Sequence, residues 1–371
     1  LVCDALDHAI TFLSKTDVPA VRLLAAQTLG ESRKFAPLKK LRFDAERDML
    51  ARDVRELFLL PYAEAMRTSR LRGNASGVCG RVLSSNASVA LDALISRGCI
   101  EPRKPISDVL DDMVSRFHPR GFFYEPYQME EVKALRRETS GERYVIITAT
   151  YLRILLAFGY GRPEQIRAAF DWLVERQDED GTWRPPLHEL RKDETLSYCM
   201  TRAAAHAFAG LSPVLRRRYA VPMARLARSW SDRILESFTD PDAVLTYLNI
   251  AEDLRGPARM GSGPDLPDSL RDRIIYFPLE DLWLALAVGA DPTHPHLAPW
   301  IKWIVQSQRP NGSWRLRNPT LRERLLLSDP NGRLRAEALY LTDEWITLRA
   351  AQILKFAFGR TRARVPASVT V

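Results

Sequence analysis

Two acidic pairs stand where a carboxyl group could do chemistry. Glu280 and Asp281 follow Tyr276, Phe277 and Pro278 and open an apolar stretch, Leu282 to Val288. Asp343 and Glu344 stand in a similar relation to Trp345 and form the alternate pair. A carboxylic acid so placed can protonate an unsaturated substrate if burial beside aromatic rings raises its pKa. A helix N-terminus works against this because it favours the charged form, and first-turn acids also cap helices, so capping is the competing reading for both pairs. Tyr144, Tyr151, Tyr198, Tyr276, Phe277 and Trp345 supply aromatic faces that suit hydrocarbon chains and cations, and that equally suit core packing.

Metal and thiol chemistry find less support. The four cysteines, Cys3, Cys79, Cys99 and Cys199, form no CxxC pattern and no zinc-finger spacing. In a chain of 371 residues they point to a reducing, cytoplasmic compartment. Cys199 and His206 share a helix face, but two turns separate them by ~10.5 Å along the axis. Zinc bonds of ~2.0–2.3 Å cannot span that. His188 could approach Cys199 from the preceding loop, with no further ligands to complete a site. Asp178, Glu179 and Asp180 read as solvated acids at a helix end. The expectation is no metal and no cofactor.

The elements that must position these groups are helical. Residues 1–30 read as helix, turn, helix, punctuated by Asp17-Val18-Pro19. Residues 31–60 continue with Leu50, Val54, Leu57 and Phe58 on one face. Residues 61–142 are less regular, with helices expected over Ser88–Arg97 and Ile106–Phe117. From Arg143 the helical period is strong, and alternating strand-like patterns are nearly absent, so the chain is expected to be all-α.

An internal repeat organises the second half. Trp172, Gln177, Gly181 and Trp183 recur in the same frame as Trp303, Gln308, Gly312 and Trp314. An apolar helix ending in Gly precedes each block, and a Thr-led helix follows each, from Thr201 and from Thr347. The Gly supplies a left-handed turn, in the favoured dipeptides Asp180-Gly181 and Asn311-Gly312. The Gln amide can satisfy open backbone groups at a helix end, and the second Trp can bury a large area over the next helix.

These blocks resemble the QW repeats of the squalene-cyclase and prenyltransferase-repeat proteins, and above all of their short, single-ring bacterial members. The resemblance is good over about 143–359, where Glu344 to Ala350 also looks like the closing inner helix. It is weak over 1–60 and poor over 61–142. It implies an (α/α)6 toroid, with inner helices around an apolar cavity, as one domain over 1–359 followed by a basic, disordered tail over 360–371. It also implies a hydrophobic, isoprenoid-like ligand. The chain departs from the family's chemistry. It has no D-x-D-D acid, since Asp108-Val109-Leu110-Asp111-Asp112 is wrongly spaced, and neither D-D-x-x-D nor D-x-C. The short relatives' W-x-C and S-C-H-M-T read here Trp183-Arg184-Pro185 and Ser197-Tyr198-Cys199-Met200-Thr201.

Composition bounds the rest. Lys and Arg number 54 against 46 acids, a formal net charge of +8. The excess is spread over Arg67, Arg70 and Arg72, Arg216 to Arg218, and Arg360, Arg362 and Arg364. Such a surface suits nucleic acid, an anionic membrane surface or phosphorylated ligands. Without an interleaved basic–aromatic stripe, nucleic acid is disfavoured. No run reaches the ~18 apolar residues of a membrane span, which leaves peripheral membrane contact open. Leu1 to Phe12 carries Asp4, Asp7 and His8, so no secretory signal is expected there. The expected function is a terpene-cyclase-like protein that acts on or binds a polyprenyl or other lipid-like molecule. The alternative is a degenerate ring that binds a ligand or a protein without catalysis.

Overall fold

The computed structural model describes residues 2–29, 40, 91, 95, 106–124, 144–184, 194–234, 278–314 and 342–364. Tyr276, Phe277, His188, and most of 31–60 and of Ser88–Arg97 lie outside the described residues. The protein is all-helical. Among the described residues the only β-type pairing is an isolated bridge between Phe117 and Phe123. The helices are α1 (Val2–Lys15), α2 (Pro19–Leu29), α3 (Ile106–Ser115), α4 (Val145–Ala157), α5 (Pro163–Glu175) and α6 (Glu194–Ala209). They continue with α7 (Pro213–Arg218), α8 (Ala220–Ser229), a π-helical turn (Trp230–Ile234), α9 (Pro278–Val288), α10 (Ala298–Gln306) and α11 (Asp343–Arg364). Of the tail expected over 360–371, the first part, up to Arg364, is helix. The chain packs as two compact units, Ala45–Pro222 and Leu1–Asp44 with Met223–Val371.

In the unit Ala45–Pro222, α4 packs against α5 and α6. The sequence of α4 is apolar around most of its circumference, and Val145, Ala149, Tyr151, Leu152, Ile154 and Leu155 are all buried. A helix of that kind belongs inside a protein. By contrast α5 is one-sided. Pro163 starts it at a position where the missing N–H costs nothing, and it buries Ile166, Ala169, Phe170, Trp172 and Leu173 while Glu164 and Arg167 stay exposed.

The other unit is built on α11, which packs against α1, α2, α9 and α10. Its middle turns carry Ile346, Leu348, Ala350, Ala351, Ile353 and Leu354, all buried. Small residues at 350 and 351 let neighbouring backbones approach. The α1–α2 connection falls at the expected Asp17-Val18-Pro19, where Thr16 Oγ1 accepts from the Val18 N–H at 3.3 Å.

The two repeated blocks are corners with the same hydrogen bonds. In the first, the Trp183 indole donates to Leu173 O at 2.9 Å. The Trp183 backbone N–H donates to Thr201 Oγ1 at 3.1 Å. In the second, Trp314 donates to Ile304 O at 2.7 Å and to Thr347 Oγ1 at 3.0 Å. The Gln amides match as well. Gln177 donates to Gly181 O and Pro222 O, at 3.1 and 3.0 Å. Gln308 donates to Gly312 O and Ala5 O, at 3.0 and 2.8 Å. Each amide thus closes its own turn and clasps a further helix, α8 in one case and α1 in the other.

A third corner lies in the stretch read from sequence as irregular. Gly121 has φ +93°, beside +89° at Gly181 and +86° at Gly312. His118 N donates to Phe122 O and Gly121 N to His118 O, as Asp178 N does to Thr182 O and Gly181 N to Asp178 O. Phe123 takes the place of the second Trp, and its N–H donates to Thr148 Oγ1 at 3.1 Å. Phe117 replaces the Gln and packs edge-on against Phe123 at 5.3 Å. With no amide to clasp the next helix, this corner grips α5 by close backbone approach: a Cβ on Gly121 would lie 2.9 Å from Ala168 O.

Candidate functional site

The corners fix how the helices that carry the candidate residues begin. Trp314, through Thr347, sets the first turns of α11, which hold Asp343, Glu344 and Trp345. On α9, the fully buried Trp230 reaches from the π-helical turn and donates its indole N–H to Asp281 O at 3.1 Å. These contacts hold both acidic helix starts within the same unit.

The two leading acids have different surroundings. Glu280 Oε2 accepts from Arg349 Nε of α11 at 2.8 Å, and the two side chains are 18% and 27% exposed. The Arg349 guanidinium also lies over the Trp283 ring, 4.2 Å from its centroid, and donates to Gln352 Oε1 at 2.8 Å. Gln352 in turn donates to Thr28 Oγ1 at 3.1 Å. This polar line joins α9, α11 and α2, and it commits Glu280 to holding a cation. Asp281 is fully buried. It lies in the first turn of the apolar helix α9, and its backbone carbonyl is the one that the Trp230 indole holds.

The alternate pair is more exposed. Asp343 pairs with Arg309 at 3.3 Å, with both side chains about two-fifths exposed (42% and 40%). Glu344 and Trp345 are half-buried in the first turn of the helix. Asp343 therefore helps tie the second corner to α11.

In the other unit, Tyr144, Tyr151 and Tyr198 are all buried. Tyr144 stacks on Phe122 at 4.7 Å and 7°. His118 stacks on the same Phe122 at 4.5 Å, and burial with the Arg120 charge holds its pKa below the usual imidazole value. Tyr151 accepts from Arg116 at 2.7 Å, and Arg116 is also paired with Asp112. Asp112 and Arg116 are 4% and 3% exposed, a buried ion pair with a phenol attached. In the sequence Asp112 reads only as part of a wrongly spaced acidic string. The signal that could have placed it is its spacing to Gly121, since Asp112 occupies the frame position held by Trp172 and Trp303.

No family model matches this chain, and no curated protein matches it. The remaining candidates stay local. Cys199, half-buried and in no disulfide, and the buried His206 lie on α6. Among the described residues no three His, Cys, Asp or Glu side chains converge as a metal set. The acids at the first corner are turn residues. Asp180 accepts from Thr182 N and Oγ1, at 3.0 and 2.7 Å, and pairs with Arg184. Asn311 accepts from Ser313 in the same way at the second corner. No helix among the described residues is long and apolar enough to cross a membrane.

Proposed function

We propose that this chain is a relative of the squalene-cyclase and prenyltransferase-repeat proteins, folded as a ring of helical hairpins that binds a polyprenyl-like molecule. The observation that carries the reading is the corner geometry, found in three places with the same turn, the same threonine bridge and a clasp on a further helix. The last corner clasps α1, 303 residues earlier in the chain, as a closing ring requires. The step from ring to hydrophobic ligand is an analogy of fold. In the catalytic form of the reading, Asp281 is the acid, and Trp345, with Tyr276 and Phe277 of the sequence-based set, serves substrate binding. The Glu280–Arg349 ion pair favours the second reading, binding without catalysis, because it removes one of the two acids from proton donation.

Mass spectrometry of organic extracts from the purified chain tests the ligand class. An isoprenoid or similar lipid should co-purify, and its absence, together with no uptake of added polyprenols, would overturn the binding reading. With a ligand in hand, Asp281→Asn should abolish any turnover, whereas Glu280→Gln should retain it. Binding without turnover in the wild-type chain selects the non-catalytic reading.

A further inference from the structure

The surface of segment 213–221 is inverted relative to an ordinary amphipathic helix. Only Tyr219 separates α7 from α8. Val214, Arg217 and Arg218 stand at i, i+3 and i+4 on one face of α7, and Val221 follows in the first turn of α8. All four are exposed. Val214 is 66% and Val221 68% exposed, and they are two of the three exposed large hydrophobic residues among the described residues. Pro213 and Ala220, beside them, are exposed as well.

The opposite side anchors this stripe. Tyr219 is buried and donates to Asp171 Oδ1 at 2.8 Å. Arg216 turns inward, where its Nε donates to Leu211 O at 3.0 Å and its guanidinium reaches Ala209 O. It thereby caps the carbonyl end of α6, and burial holds its pKa below the usual value. Ser212 caps the start of α7 through the Leu215 N–H. The valines therefore face solvent because the backbone is held that way. Arg218 touches Asp171 at 3.1 Å while its side chain remains 54% exposed.

We propose that this stripe docks the protein on an anionic lipid surface, with Val214 and Val221 entering the interfacial layer and Arg217 and Arg218 against the headgroups. The order of the stripe carries the inference: aliphatic ends on either side of a basic centre match an interface that is apolar below and negative above. A nucleic-acid groove would use the arginines and leave the valines in water. The chain's net charge of +8 adds long-range attraction to the same surface.

Co-sedimentation of the full chain with phosphatidylcholine vesicles, with and without phosphatidylserine, tests this. Each arginine near such a surface changes partitioning by about five-fold, so the serine-containing vesicles should bind about 30-fold more tightly. Arg217→Ala should weaken that binding by about five-fold. Val214→Glu with Val221→Glu, at positions too exposed to disturb folding, should abolish it with an unchanged circular dichroism spectrum. Failure of the wild-type chain to sediment with the anionic vesicles overturns the proposal. So does wild-type binding by the double glutamate variant, which would assign the attraction to diffuse charge. Duplex DNA that binds more tightly than the vesicles and loses affinity in Arg217→Ala would overturn it in favour of nucleic acid.

Discussion

Gly121 and Gly159 offer a matched pair for testing the third corner, because both lie in the unit Ala45–Pro222 and both have positive φ. Replacing either with Ala places a Cβ in a left-handed conformation, which costs about 1–2 kcal/mol. At Gly159 that is the whole expected effect: φ is +60° and no atom lies within 4 Å of the added Cβ. At Gly121, φ is +93°, and the Cβ would stand 2.9 Å from Ala168 O and 3.1 Å from the Trp172 Cβ. The first of these is backbone on α5 and cannot swing aside as a side-chain end would. Overpacking of this kind adds about 1–3 kcal/mol. The expected losses are therefore about 1–2 kcal/mol for Gly159→Ala and about 2–5 kcal/mol for Gly121→Ala. Urea unfolding followed by far-ultraviolet circular dichroism measures both, with the slope m compared so that a change in the unfolded state is not mistaken for a change in stability. A Gly121→Ala loss of about 1–2 kcal/mol, no greater than that of Gly159→Ala, would refute the close clasp of the corner on α5, since it leaves nothing for the overpacking cost.

Trp183→Ala and Trp314→Ala remove side chains that are 0% and 5% exposed, and each should lower stability by about 3–5 kcal/mol in the same urea assay. Stability should fall at alkaline pH through Tyr219, whose pKa is pushed up to about 12 by burial and by the Asp171 hydrogen bond. The folded value lies above the ordinary value of 10.0, so the contribution is present below pH 10.0 and lost as pH rises toward about 12. Tyr219→Phe should flatten that part of the stability–pH curve, and an unchanged slope would show that Tyr219 does not carry it. Dialysis against chelator should leave the thermal midpoint unchanged, and elemental analysis should find well under one zinc per chain; a stoichiometric zinc that survives dialysis would make Cys199 the first ligand to substitute.

The helical character and the two corner blocks were legible because local rules set them. Asp17-Val18-Pro19 breaks a helix by its own chemistry, and Asp180-Gly181 and Asn311-Gly312 are turn dipeptides in almost any context. The third corner is hidden in the sequence because it lacks the tryptophans and glutamine that mark the other two. What recurs at all three corners is a backbone turn with positive φ and a threonine hydroxyl bridging the residue after it. Asp112 and Phe117 fill the Trp and Gln places with different chemistry, so only Gly121, Phe123 and Thr148 preserve the pattern. The Glu280–Arg349–Gln352–Thr28 line was illegible for another reason. It joins three helices far apart in sequence, and neither spacing nor propensity encodes such a contact.

That line also changes what the adjacent acids mean. Successive residues on a helix point about 100° apart, since 3.6 residues make a turn. Glu280 and Asp281 thus present their carboxyl groups to different surroundings, although sequence reads them as one pair. Glu280 pairs with Arg349 of α11, whose guanidinium lies over the Trp283 ring. Asp281 is turned fully inward, on a helix turn whose backbone carbonyl is fixed by the Trp230 indole. A cation held between a carboxylate and an indole face is a tie between α9 and α11. The catalytic form of the proposed function rests on Asp281 alone, whereas the tie to α11 rests on Glu280, and for that reason substitutions one residue apart separate a loss of turnover from a loss of packing.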